Sequence, residues 1–136
     1  MIYSVCIDSP VGSVAVFSDG EYITEIAFEK CENIGKTNVL SNCVRQLKEY
    51  FDGERKEFCV PLKIEGSKFQ KRVWNALCKI QYGTVISYKQ LAEMSGSPNA
   101  YRAVGKANGK NRIPIIIPCH RVINENGEIG GYSSGI

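Results

Sequence analysis

A chain of 136 residues with 43% hydrophobic and 23% charged residues has the composition of a soluble globular protein, one ordinary domain or two small ones. No apolar run approaches the ~20 residues that span a bilayer, and no basic-then-apolar leader opens the chain, so a cytoplasmic protein without membrane contact is expected. The net charge of +3 is uneven: Lys68, Lys71, Arg72, Lys79, Lys89, Arg102, Lys106, Lys110, Arg112 and Arg121 face one acid, Glu93, whereas residues 1 to 66 are mildly acidic. A basic half of this kind suits a polyanion partner, or else is simply a solvated face. The cysteines at positions 6, 31, 43, 59, 78 and 119 are dispersed, with no C-x-x-C pair and a single histidine. Neither a zinc site nor a disulfide framework is expected, and most of the six should be free, buried and inert.

Residues 2 to 7 alternate as a half-buried strand, with Tyr3, Val5 and Ile7 on one face. Pro10-Val11-Gly12 predicts a turn, Ser13 to Ser18 a second strand, Asp19-Gly20 a hairpin, and Tyr22 to Phe28 a third strand. Lys30 to Lys36 is polar and loop-like. Val39, Leu40, Cys43, Val44, Leu47 and Phe51 follow a helical period that Gly53 stops, and Glu57 to Leu62 can return as a strand. The first part, residues 1–66, therefore reads as a small meander with a helix.

The pattern changes near Glu65-Gly66, which sets the second part as residues 67–136. Ser67 with Gln70 forms a capping box, and Phe69, Val73, Leu77 and Ile80 mark a helix face that Tyr82-Gly83 ends, with Trp74 in the core. Thr84 to Ile86 is a short extended piece. Ser87 with Gln90 is a second capping box, opening a helix that Gly96 terminates. Ser97 is the expected N-cap of a third helix, with Pro98 in its first turn. In that helix Ala100, Ala103, Val104 and Ala107 predict a small-residue packing face, and Arg102, Lys106 and Lys110 a basic stripe on another side. Two short helices joined in this way predict a DNA-binding helix-turn-helix, with an ordinary helical hairpin as the alternative.

Ile115-Ile116-Ile117 is a β-branched run, expected to be a buried strand that Pro118 stops. Cys119 and His120 follow at once. A cysteine reacts as its thiolate, and histidine is one of the few groups able to take its proton near neutral pH. The plain alternative is a buried structural thiol beside a solvent-facing imidazole. A nucleophile behind a helix-turn-helix would serve an enzyme that repairs DNA chemically. The glycine-rich stretch Gly130-Gly131-Tyr132-Ser133-Ser134-Gly135 could bring backbone N–H groups close to a ligand.

Pro118-Cys119-His120-Arg121-Val122, preceded by Ile115 to Ile117 and followed by Gly130-Gly131-Tyr132-Ser133, resembles the O6-alkylguanine-DNA alkyltransferase family, the methylated-DNA–protein-cysteine methyltransferases. Phe69-Gln70, Val73-Trp74, Tyr82-Gly83, Ser87-Tyr88, Arg102-Ala103-Val104-Gly105 and Asn111 extend the resemblance over residues 67 to 136. The first part agrees only through Pro10-Val11-Gly12, Tyr50-Phe51-Asp52-Gly53 and Pro61-Leu62.

The resemblance implies an α/β ribonuclease-H-like N-terminal domain and a mainly α winged-helix domain that binds double-stranded DNA. It implies direct, irreversible transfer of an alkyl group from O6-alkylguanine, with O4-alkylthymine as a further substrate, to Cys119 of a monomer without metal or cofactor. His120 would be the base, acting through a water. Tyr88 would donate a proton to guanine N3, and Asn111 would brace the turn. Ser87, Tyr88, Arg102, Ala103, Lys106 and Lys110 would meet DNA, with Arg102 filling the gap left by the flipped base. The carbonyls of Cys119 and Val122 would read the exocyclic amine, and Gly131, Tyr132 and Ser133 would complete the pocket. Family members continue into a further helix whose glutamate orients the histidine. The sequence ends at Ile136, so a domain lacking that helix, with weaker activation of Cys119, is expected. The alternative function is a non-catalytic protein that binds alkylated guanine.

Overall fold

The structure, a computed structural model, describes residues 2–123. It divides into two compact units, Met1–Ile64 and Glu65–Ile136. In the first, β1 (Tyr3–Ser9), β2 (Gly12–Ser18) and β3 (Ile23–Ala27) form an antiparallel meander in that order. Asp19 turns the chain between β2 and β3 because its Oδ1 accepts from the N–H groups of Glu21 and Tyr22, both at 2.9 Å. The central strand β2 buries Val14, Ala15 and Val16 in succession. Helix α1 (Asn38–Phe51), capped by Thr37, packs on the sheet through Leu40, Cys43 and Leu47. The free edge of β1 is covered by the loop before α1. Ser4 and Ile34 exchange backbone bonds of 3.1 and 2.9 Å, and the Cys6 N–H donates to Asn33 Oδ1 at 2.9 Å.

The strand expected over Glu57–Leu62 does not form. Pro61 has no N–H to give to a ladder, so the segment makes only one parallel bridge, Leu62 with Ile23. It is held instead by the buried side chain of Gln46, whose Nε2 donates to Cys59 O at 3.0 Å and whose Oε1 accepts from Cys59 N at 2.8 Å.

In the second unit the two capping boxes are formed as the sequence predicts. Ser67 opens α2 (Lys68–Leu77) and Ser87 opens α3 (Tyr88–Met94). Helix α2 stops at Leu77, short of Tyr82-Gly83. The strand β4 (Ile86–Ser87) runs parallel to β5 (Val122–Ile123). At the end of α3, Ser97 N–H bonds Ala92 O at 3.0 Å and Gly96 N–H bonds Glu93 O at 3.1 Å, a Schellman closure. It needs a residue at positive φ, and Gly96 takes 81°.

Ser97 does not cap the next helix, contrary to expectation. Its carbonyl accepts from Ala100 N–H at 2.9 Å, so Ser97-Pro98 spends itself on a tight turn, where proline's fixed φ is favoured. Helix α4 is Tyr101–Gly109, with Ala100 at its N-cap and no side-chain cap. Its packing face also differs. Val104, Ala107 and Asn108 are buried, whereas Ala103 is exposed. The core between α2 and α4 is pinned by Trp74, whose Nε1 donates to Ala107 O at 2.9 Å.

The cysteines depart from expectation as well. All six are free, but only Cys43 and Cys119 are buried, and Cys59 and Cys78 are exposed.

Candidate functional site

The Ile115–Ile117 run is not a strand. It is a buried turn between Pro114 and Pro118, closed by Ile116 N–H to Pro114 O at 2.9 Å and Ile117 N–H to Ile113 O at 3.0 Å. Two prolines, each lacking an N–H, deny this stretch a ladder despite its β-branched composition. Ile115 sits at φ 74°, where a β-branched residue costs about 1–3 kcal/mol. Burial of Ile113, Ile115 and Ile117, each no more than 3% exposed, offsets that strain. Asn111 ties the turn at both ends. Its Nδ2 donates to Ile117 O at 2.8 Å and its Oδ1 accepts from Ile113 N at 2.9 Å.

Pro118, at φ −81° and ψ 68°, is the centre of an inverse γ-turn closed by Cys119 N–H to Ile117 O at 2.8 Å. A single 3-10 turn, Cys119–Arg121, then leads into β5. The order is thus buried turn, cysteine, strand, the reverse of the strand-then-cysteine expectation. Arg121 anchors this turn from the side. Its Nη1 donates to Ile80 O at 2.7 Å and its guanidinium lies 5.7 Å from the Tyr82 ring. Pairing of β5 with β4 sets the turn beside the start of α3, where Tyr88 is the first residue.

Cys119 is 2% exposed. Burial pushes its pKa up to about 11, although the Asn111 side chain and the backbone N–H groups of Cys119 and His120 work in the other direction. At neutral pH it is a thiol. His120 is half-buried, and burial, with the charge of Arg121 adding to it, lowers its pKa to about 4. Its imidazole is therefore neutral at pH 7 and, by the same shift, a weaker base than a free histidine. Burial raises the Tyr88 phenol above its ordinary value, a neighbouring Asn108 side chain lowers it, and the proximity of Cys119 raises it again.

Three buried side-chain atoms have no hydrogen-bond partner among the described residues: Tyr88 Oη, Asn108 Oδ1 and His120 Nδ1. All three lie around Cys119. Asn108, which the sequence reading missed, is 1% exposed, and its Nδ2 lies 3.5 Å from Cys119 O. The Cys119 carbonyl also accepts from Val122 N–H, so both its lone pairs are engaged. Reading a base through that carbonyl would displace the longer contact. The signal for Asn108 was its position one turn beyond Val104, on the helix face that points inward.

The other face of α4 is exposed. Arg102, Ala103, Gly105, Lys106, Gly109 and Lys110 line a shallow, open depression there. Ser87 is committed as the α3 cap, its hydroxyl accepting from Gln90 N at 3.1 Å. Gly131, Tyr132 and Ser133 lie outside the described residues. Among the described residues, no group of three or more His, Cys, Asp or Glu side chains could hold a metal ion. No helix searched there is long and apolar enough to cross a membrane.

A thiol buried behind a basic helix is matched by two family models. Residues 68–136 match the DNA-binding domain of 6-O-methylguanine DNA methyltransferase, and residues 1–64 its ribonuclease-like domain. The chain belongs to this family. A methylated-DNA–protein-cysteine methyltransferase of Mycobacterium tuberculosis is 43% identical over 100% of this chain and 87% of its own length. The constitutive enzyme of that name from Bacillus subtilis is 40% identical over 98% of this chain and 87% of its own. Among solved structures, M. tuberculosis O6-methylguanine methyltransferase has a TM-score of 0.90 at 42% identity, covering 100% of this chain and 87% of that one. The M. tuberculosis protein in complex with DNA has a TM-score of 0.86 at 42% identity, covering 96% of this chain and 83% of that one. The architecture of the family, a ribonuclease-like domain followed by a DNA-binding domain, is that of this chain.

Proposed function

We propose that this protein repairs double-stranded DNA by moving the alkyl group of O6-alkylguanine onto Cys119, once per molecule. The observation that carries this reading is the Cys119 thiol, buried and un-ionised, with a neutral imidazole next in sequence and a buried phenol, Tyr88, without a partner beside it. The exposed stripe of Arg102, Lys106 and Lys110 supplies the phosphate-facing charge. Ala103, on the same exposed side, keeps that face narrow enough to enter a groove. An alkyl group on O6 is hidden in the stack, so the base must leave the duplex, at roughly a few kcal/mol. Arg102 fills the space it vacates.

His120, through a water, takes the Cys119 proton. The thiolate sulfur attacks the alkyl carbon, the S–C bond forms as the C–O6 bond breaks, and the electron pair passes into the guanine ring. Tyr88 gives its proton to N3, and the proton taken from the thiol returns to the phenolate through solvent. Thiol and alkylguanine thus become thioether and guanine with nothing left over. No metal, redox partner or cofactor enters the balance. A thioether offers no base-assisted route back to a thiol, so the transfer is final. The protein acts as a monomer, since one thiol, one base and one basic helix from a single chain complete the step.

Titration of a duplex oligonucleotide carrying one O6-methylguanine tests this. The expected result is loss of the lesion in proportion to protein added, stopping at one lesion per protein. Tight lesion-specific binding without loss of the methyl group would instead make the protein a binder and sink the transfer reading.

A further inference from the structure

Tyr101 is the most exposed aromatic residue among those described, at 52%. A single exposed hydrophobic side chain is ordinary, but this one stands on the helix proposed to meet DNA, immediately before Arg102. Tyr82, nearly as exposed at 45%, has the Arg121 guanidinium over its ring. The Tyr101 ring has no such partner, and its hydroxyl no hydrogen bond, among the described residues.

Helix geometry fixes the edge on which the ring lies. Residues four apart are neighbours on a helix surface, so Tyr101, Gly105 and Gly109 form one row along α4, beside the row of Arg102, Lys106 and Lys110. The Gly105 edge is the one turned to Tyr88: a Cβ built on Gly105 would lie 3.5 Å from two carbons of the Tyr88 ring. Tyr101 therefore stands at the border between the basic face and the side of the helix that adjoins Tyr88.

We propose that Tyr101 is a wedge, whose ring stacks on a base bordering the place that Arg102 fills and so holds the duplex open while the extruded guanine is at Cys119. This rests on the reading of Arg102 and Cys119 given above. Extrusion leaves the bases on either side of the gap with one bare face each. A guanidinium can lie against one of them, and the ring, one residue earlier on the same helix, supplies a flat surface for the other. An aromatic face stacks on any base, and apolar side chains set between base steps keep a duplex parted. Lys106 and Lys110, further along the helix, hold phosphates meanwhile.

The test compares single-turnover transfer from one O6-methylguanine oligonucleotide, annealed and unannealed. A single strand has no pair to part, so a wedge matters less there. Tyr101→Ala should lower the ratio of the duplex rate to the single-strand rate by about 10-fold, the scale of one lost base stack. Tyr101→Phe keeps the ring and should retain most of that ratio. Neither substitution removes a cationic group, so the slope of log affinity against log salt should stay as in the wild type. Fluorescence of Trp74, bonded to Ala107 in α4, reports that each variant is folded.

A ratio unchanged or raised in Tyr101→Ala, whatever the absolute rates, would overturn the inference. So would a Phe variant as impaired as the Ala variant, or a lowered salt slope, which would trace the loss to a displaced basic row. A wild-type protein that transfers no methyl group from either substrate would overturn the proposed function itself, and that failure is seen without any variant.

Discussion

The two units differ in how completely their buried polar atoms are bonded among the described residues. In the first, each buried polar side chain is bonded: Ser4 Oγ to Glu32 O at 2.6 Å, Ser18 Oγ to Tyr22 O at 2.7 Å, and the Gln46 amide to both backbone groups of Cys59. In the second, Tyr88, Asn108 and His120 hold buried polar atoms with no partner among the described residues, and Ile115 lies at positive φ. Unsatisfied groups and strain cost stability, and a fold tolerates them where something else gains. The first unit closes its buried polar side chains within itself; the second leaves three such atoms without partners among the described residues.

The sharpest way to break this contrast is at the nucleophile. Cys119→Ala should abolish transfer outright while leaving the protein folded, since a small apolar side chain suits the same buried site. Binding of a methylated duplex, measured by fluorescence anisotropy, should persist. Next comes the brace. Asn111→Ala removes both bonds that hold the isoleucine turn and should cost about 2–4 kcal/mol of stability, read by urea denaturation. Transfer should slow by roughly 10²-fold through misplacement of Cys119. Gln46→Leu, by contrast, should cost about 1–3 kcal/mol yet leave the single-turnover rate of the folded fraction unchanged. A large loss of rate from that substitution would erase the distinction between the units.

Smaller effects follow from charge. Lys106→Ala and Lys110→Ala should each weaken DNA binding a few-fold, irrespective of base sequence, and each lower the slope of log affinity against log salt by about 1. Acid should weaken the second unit in a defined window. The His120 pKa is lowered from 6.5 to about 4, so the unfolded chain binds a proton that the folded one refuses. Stability is therefore fully present above 6.5 and declines as the pH falls through that range. Thermal melts followed by Trp74 fluorescence should show the decline, and replacing His120 with Gln should reduce it.

What the sequence made legible was mostly local. Ser67 with Gln70 and Ser87 with Gln90 needed only a serine, a spacing of three and an apolar face, and both boxes form. The Asp19-Gly20 turn was equally self-contained. The errors came where a longer-range constraint prevailed. Three β-branched residues look like a strand, but Pro114 and Pro118 fold them into a turn that Asn111 closes. Ser97-Pro98 has the chemistry of a helix start, yet the Ser97 carbonyl is taken by Ala100, and α4 begins later without a cap. The strand expected over 57–62 failed because Gln46, distant in sequence, supplies the bonds a neighbouring strand would have given. Cys119 and His120 could be picked out as residue types, and Tyr88 through the family resemblance; their pKa shifts could not be foreseen, because burial, the first cause of each, is set by the fold. Asn108 could be placed on the inward face of its helix, one turn beyond Val104, but not beside Cys119.

The central claim is that Cys119 is the acceptor, and peptide mapping by mass spectrometry tests it most directly. After incubation with an O6-methylguanine duplex, the peptide containing Cys119 should carry one methyl group, and the peptides containing Cys6, Cys31, Cys43, Cys59 and Cys78 should carry none. A methyl group on one of those five thiols, or an unmodified Cys119 in a folded protein that has met its lesion, contradicts the account.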